Sequence, residues 1–428
     1  MSLIGTLSVL LVIGLLLSMP VAFALIMPAM TVVWLMGINL MSVPQQVMSG
    51  MDSFTLLAVP FFLLAGDLMT AGGMTTRLLD FTNALVGRFR GGLAMSNVVS
   101  ATVLAGISGS AVADTSALGK VLIPGMVRAG YGAGFSAALT AAANVVGPII
   151  PPSITFILIG VLTSQSITKL FLAAVIPGFV YSAAMLVMAT WISRRRNYPT
   201  HAAQSFRQVM TSMRKAVWAL LMPLLIIGGI RSGVFNVTEC SAVAIFYALF
   251  VGLFVYRELN LEKIYGCLVS AGRSTAVVMI VLGGAQVVSW LLAYENIPQT
   301  MAELMLSVSD NPLVFLLLVN VLLLFIGTFM ENAPALVMLV PVLFPVATTL
   351  GIDPAHFSVI MSVNLVIGLI TPPVAICTNI AAMIAKVPLR VATAEMMPFF
   401  LTAVFVLMLI TFFPALSLWL PSVAMGQH

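Results

Sequence analysis

Charge is scarce in this sequence. Only 7% of its 428 residues are Asp, Glu, Lys or Arg, against 61% that are apolar. That is too little polar surface to cover a water-exposed globule. A mean hydropathy of +1.15 puts the chain in lipid instead. Apolar runs of the roughly 20 residues that a membrane-spanning helix needs recur from end to end. They stand at 3–36, 171–193, 242–256 and 392–420, among others, and leave no soluble domain of useful size. Cysteine is almost lacking: Cys240, Cys267 and Cys377 stand singly, which excludes a disulfide framework and a cysteine-spaced metal site. No Lys or Arg precedes the first apolar run, so the pattern of a cleaved secretory signal is missing and the first helix is expected to be retained. The net charge of +5 is assigned to membrane topology, not to nucleic acid.

What is present is a repeated order of events. Short spans at 3–18 and 21–36, turning at Ser18-Met-Pro20, are followed by a span at 53–71 and an amphipathic stretch at 74–90. A small-residue hairpin at 91–126, a broken span at 133–165 and a full span at 168–193 complete the first half. A cytoplasmic linker, 194–213, opens with Arg194, Arg195 and Arg196. The second half, 214–428, has spans at 214–231, 236–256 and 271–293, an amphipathic stretch at 297–308, a hairpin at 312–347, a broken span at 355–385 and a last span at 393–420. The two halves share a register: Gly106, Pro124 and Asn144 in 1–193 correspond to Gly327, Pro345 and Asn364 in 214–428. Each Asn leads into a break, Gly147-Pro-Ile-Ile-Pro-Pro152 in one half and Gly368-Leu-Ile-Thr-Pro-Pro373 in the other. The expected architecture is an all-α polytopic membrane protein of two inverted repeats, with about 11 transmembrane helices, two re-entrant helical hairpins and two broken helices.

Cytoplasmic flanks are enriched in Lys and Arg. With 194–215 inside, 77–90, residue 128, 257–273 and 386–390 also fall inside, and of the 18 basic residues only Lys169 and Arg231 lie outside. Asp52, Glu239, Glu295, Glu303, Asp310 and Asp353 then mark the outer face, and both termini come out periplasmic. The hairpins enter from opposite faces.

Helix breaks at membrane depth are tolerated only where they are buried or line a cavity. The carbonyls at 144–148 and 364–371, beside Asn144, Gly147 and Pro148 and beside Asn364, Gly368 and Thr371, are hard oxygen ligands of the kind sodium prefers. Helices starting after Pro151-Pro152 and Pro372-Pro373 would aim positive dipole ends at an anionic substrate. The hairpin tips supply Ser108, Gly109 and Ser110, with Asp114 a turn beyond, and Gly327, Thr328, Glu331 and Asn332. Carboxylates inside a membrane are expensive and usually functional, although Ser108 and Ser110 also suit helix packing through small residues, and Asp114 and Glu331 also suit structural hydrogen bonds. Asp67, near the cytoplasmic end of its helix, is given no role.

Gly106-Ile-Ser-Gly109 also fits the pattern of intramembrane serine proteases. A serine nucleophile needs a base within reach, and His201, His356 and His428 are all placed away from Ser108 at depth. The chain is therefore read as a transporter and not an enzyme. Two unequal hairpins in one chain also suit a substrate site better than the filter of an ion channel.

The runs 108–116, 147–153 and 368–374 closely resemble the large membrane subunit of tripartite ATP-independent periplasmic (TRAP) transporters, and the resemblance spans essentially the whole chain. It implies a sodium-coupled importer in the bacterial inner membrane, working with a periplasmic substrate-binding protein and a small four-helix membrane subunit. Nothing like that subunit is seen in this sequence, so a separate chain is expected. The resemblance further implies an elevator mechanism, with hairpins and broken helices in the moving part, and a carboxylate substrate such as a C4-dicarboxylate or sialic acid. The alternative is a stand-alone sodium–dicarboxylate symporter of the related divalent-anion family. Those resemble Ser-Asn-Thr at both hairpin tips, where this chain has Ser-Gly-Ser and Glu-Asn-Ala. No embedded Arg or Lys supplies a legible carboxylate clamp.

Overall fold

The computed structural model describes residues 3–17, 19–87, 89–199, 206–295 and 311–426, and among them the regular structure is entirely helical. The amphipathic stretch at 297–308, together with Ser18, His201, Glu303, Asp310 and His428, lies outside the described residues.

The first group of helices is peripheral. It begins with the short pair α1 (Leu3–Leu16) and α2 (Val21–Leu35), then α3 (Ser42–Met51), α4 (Ala58–Ala71) and the amphipathic α5 (Met74–Val86). It resumes after the linker with α11 (Phe206–Arg231), α12 (Val237–Phe250, prolonged by a π turn) and α13 (Leu261–Tyr294). The long α13 packs on α2, α3 and α4, while α11 packs on α5 and α12 on α4. Its 34 residues measure about 51 Å, well over the roughly 30 Å of a hydrocarbon core. Its apolar portion, 271–293, is all that hydropathy marks, because Glu262 and Lys263 conceal the first turns; Asn260 starts the helix by accepting from Lys263 N.

The second group is the core. The first hairpin is α6 (Gly92–Ser108) and α7 (Ala111–Arg128), followed by the broken pair α8 (Ala133–Asn144) and α9 (Ile154–Thr163) and by α10 (Ile167–Arg195). The second hairpin is α14 (Pro312–Phe329) and α15 (Asn332–Thr349), followed by the broken pair α16 (Pro354–Gly368) and α17 (Ile376–Ala385). The expected last span, 393–420, is in fact two helices, α18 (Leu389–Phe412) and α19 (Ala415–Met425), parted at Phe413-Pro414, where proline cannot continue the hydrogen-bond ladder. Among the described residues, eight helical segments are long and apolar enough to cross a membrane, and the halves of both broken spans are shorter.

The packing of the helices sorts these elements. Helices α6 to α10 and α14 to α19 pack closely on one another, with α8 and α16 buried beyond their first residues. The two groups meet where α4 and α5 lie against α6 and where α13 lies against α15. The hairpins open toward opposite ends of α10. At the Arg196 end, the backbone of Gly91 ahead of α6 lies against Ser193, and Gly132 N beyond α7 donates to Tyr198 Oη at 3.4 Å. At the other end Lys169 lies 3.7 Å from Asp353, which follows α15. The opposed entry read from basic residues is thus present in the fold.

Candidate functional site

The tip of the first hairpin is two residues long. Gly109, at φ +63°, supplies the left-handed turn, and Ser110 caps α7 by accepting from Ala113 N at 3.3 Å. Ser108 Oγ donates to Asp114 Oδ2 at 2.5 Å, so the buried carboxylate of α7 and the last residue of α6 close on each other. The first break lies directly behind: a Cβ added at Gly147 would sit 3.0 Å from Asp114 Oδ2. Within the break, Ser153 Oγ donates to Pro148 O at 2.5 Å, and Gly147 N to Asn144 O at 3.0 Å. Asn144 donates its amide to Thr140 O at 2.8 Å, while its buried Oδ1 has no partner among the described residues.

The second hairpin turns through Met330 and Glu331. Thr328 Oγ1 donates back to Phe325 O, and Asn332, at the start of α15, donates its amide to Thr155 Oγ1 at 2.7 Å. The hairpin reaches its break through glycine, since the backbones of Gly327 and Gly368 touch and a side chain on Gly368 would run into Gly327. Asn364 is placed differently from expectation. It lines neither of the cavities described below; its amide donates to Asn320 O and Oδ1 of α14, at 3.0 and 2.8 Å, and Asn320 in turn donates to Thr411 at 3.0 Å. Its Oδ1 is again buried without a partner. Thr371, Pro372 and Pro373 also stand off the cavity, with Thr371 donating to Ile367 O and Pro373 exposed. Pro151 faces a minor pocket beside Arg231, on another side. Both Pro-Pro bonds are cis.

Gly109, Ser110, Pro148, Glu331 and Asn332 come together around a cavity of about 320 Å³. Three helix N-termini reach it: α7 at Ala111, α9 at Ile154 and Thr155, and α15 at Asn332 and Ala333. Each presents the positive end of a helix dipole and backbone N–H groups without intrahelical partners. The opposite wall is apolar and belongs to the peripheral helices: Leu63 of α4 and Val277, Val278 and Val281 of α13, with Ser274 among them. Among the described residues Glu331 is the only ionisable one lining this cavity, so an anion bound here would be held by amides and hydroxyls and not by an ion pair. Thr155 and Ser274 escape the sequence reading. Thr155 could have been found as the first turn after a break, whereas nothing local marks Ser274.

A second cavity of about 470 Å³ shares Leu63, Ser110 and Ser274 with the first and extends it past Ser108 and Asp114 to Asp67 and Lys263. Asp67 therefore lines the passage instead of lying idle at an interface. No group of three or more His, Cys, Asp or Glu that could hold a metal exists among the described residues. The oxygens left open are of another kind. Asn144 Oδ1, Asn364 Oδ1 and Thr378 Oγ1 are buried and unpartnered near the two breaks. An orphaned buried oxygen costs about 1–3 kcal/mol, and a desolvated hard cation bound there would relieve that cost.

Comparison with known proteins gives matches over most of the chain. A family model described as the tripartite ATP-independent periplasmic transporter, DctM component, matches residues 5–416. The chain is 42% identical over 412 residues to the sialic acid TRAP transporter large permease protein SiaM of Vibrio cholerae, covering 96% of each. It is 40% identical over 371 residues to the C4-dicarboxylate TRAP transporter large permease protein DctM of Pseudomonas aeruginosa, covering 87% of each. Among solved structures, the YdaH transporter of Alcanivorax borkumensis, described as having an unusual topology, superposes with a TM-score of 0.62 at 16% identity, over 90% of this chain and 88% of that one. That likeness concerns the fold alone.

Proposed function

Because this chain belongs to the DctM-component family of tripartite ATP-independent periplasmic transporters, we propose that it is the large permease of a sodium-coupled, binding-protein-dependent importer of an organic acid, lodged in a bacterial inner membrane. The observation that carries this reading is the convergence of both hairpin tips and the first break on one cavity that offers three helix N-termini and, among the described residues, no cationic side chain. Such a surface suits a carboxylate, as in the relatives named for sialic acid and C4-dicarboxylates.

Sodium is favoured by the donors in and beside that cavity, which are amide, carbonyl and hydroxyl oxygens with the carboxylates of Asp114 and Glu331. The elevator reading is supported by the grouping of the helices. Both hairpins and both broken pairs sit in one tightly packed group, and the cavity lies where that group faces α4 and α13. Displacement of the core group along this face would carry the site across the membrane, alternately exposing it on either side.

The partners are a periplasmic substrate-binding protein and a small four-helix membrane subunit. A docking face at the outer end has less free charge than the sequence suggests. Glu239 closes a capping box with Asn236, and Asp353 caps α16 while facing Lys169. The test is uptake of labelled carboxylates into proteoliposomes containing this chain and the small subunit, with binding protein outside. Uptake is expected to require a sodium gradient. Equal uptake on a proton gradient alone would remove the ion assignment, and uptake by this chain alone would decide for a stand-alone symporter.

A further inference from the structure

The passage from the central cavity runs between the first hairpin and the paired helices α4 and α13, and two carboxylates stand along it, Asp114 and Asp67. An anion leaving the hairpin tips by this route meets both. Lys263, in the first turn of α13, is the only basic residue that lines either cavity among the described residues. Its Nζ donates a hydrogen bond to the carbonyl of Glu258 at 2.7 Å and makes no ion pair among the described residues. The nearby Glu258 carboxylate is taken by Arg77, at 2.6 Å. The lysine therefore keeps an unneutralised charge and two further N–H donors beside the passage.

We propose that Lys263 is the release station of this transporter, the group that receives the substrate carboxylate as it leaves the hairpin tips and draws it past Asp114 and Asp67 toward the cytoplasm. This rests on the organic-acid reading above. The physical reason is one of sign. Carboxylates along a narrow route disfavour an anion, and one positive charge at its mouth offsets them and raises the local anion concentration. Lys263 lies among the basic segments assigned to the cytoplasmic side, so it acts on the inner half of the cycle and leaves capture from the binding protein untouched.

The experiment uses the complete reconstituted system, with N-acetylneuraminate, succinate, lactate and pyruvate as probes. External uptake kinetics are measured, together with trans-inhibition by the same acid loaded inside. In Lys263→Gln, the internal concentration needed for half-inhibition is expected to rise about fivefold, the size of one Coulomb contact at roughly 4 Å in a water-filled passage, with the external KM unchanged. Lys263→Arg keeps the charge and is expected to behave as the wild type. The proposal is overturned if Lys263→Gln leaves trans-inhibition unchanged. It is equally overturned if Lys263→Arg is as impaired as Lys263→Gln, or if external KM shifts in step, since either would mean that the bond to Glu258 O only braces the fold. Failure of the wild type to take up any of the four acids would instead remove the organic-acid reading itself.

Discussion

Asn332 and Thr155 lie 177 residues apart in sequence and are joined by one hydrogen bond of 2.7 Å. The bond ties the tip of the second hairpin to the helix that leaves the first break, so elements of the two repeats meet at the cavity through a polar pair. Asn332→Ala is expected to cut uptake at least tenfold while expression stays normal. In a double-mutant cycle with Thr155→Val, the second substitution should add little to the first, because both remove the same contact. Fully additive losses would mean that the two residues act separately.

Ser108 and Asn364 stand in matching parts of the repeats but in different surroundings, so their variants should differ in kind. Ser108→Ala loses a hydroxyl that faces the passage and donates to Asp114. Its effect should fall on sodium activation, with the half-saturating concentration rising roughly tenfold, the equivalent of about 1.4 kcal/mol. Asn364→Ala removes two buried hydrogen bonds to Asn320 and should lower stability itself, by about 1–3 kcal/mol in thermal unfolding in detergent. If Asn364→Ala melted at the wild-type temperature, the network through Asn320 and Thr411 would not be structural.

The contact of Gly327 with Gly368 leaves no space for a methyl group. Gly368→Ala is therefore expected to destabilise the protein by about 1–3 kcal/mol through forced backbone shifts. Gly228→Ala is the control. It lies within α11 with nothing near its added Cβ, and it should be neutral or slightly stabilising. Comparable melting temperatures for the two variants would contradict the close approach.

Arg196 is held at the end of α10 by Glu395 at 2.8 Å and lies 5.6 Å from the centre of the Phe135 ring. Both charges are partly exposed, so Glu395→Gln should cost no more than about 1 kcal/mol. A larger loss, measured by thermal unfolding, would show that the guanidinium organises the aromatic group around it.

Much of this fold is written in the sequence because breaks inside membranes must be marked by the residues that make them. Asn144 with Gly147-Pro148, Asn364 with Gly368, and the Ser108-Gly109-Ser110 tip locate both broken pairs and the first hairpin within a few residues. Proline alone does not carry that information. Pro177, Pro223 and Pro398 sit inside uninterrupted helices, whereas Pro414 ends one, and no local pattern separates them. The site was legible on the side contributed by hairpins and breaks. Its other wall was not: Ser274, Val277 and Val281 read as ordinary residues of an apolar helix, and only the packing of α13 against α15 turns them toward the cavity. The amide contact of Asn364 was illegible for a similar reason, since its partner Asn320 lies 44 residues away on another helix.

The clamp on Arg196 and Tyr198 has a mechanical consequence. Tyr131, Phe135 and Tyr198 stack at 4.4 and 5.2 Å around the point where the chain leaves the core group, and the next described residue, Phe206, already belongs to α11 in the peripheral group. Only seven peptide steps separate Pro199 from Phe206. Fully taut, such a leash reaches roughly 25 Å. These two anchor points can never part by more than that, so if the two groups slide past each other as proposed, the length of this strap sets a ceiling on how far the anchors separate.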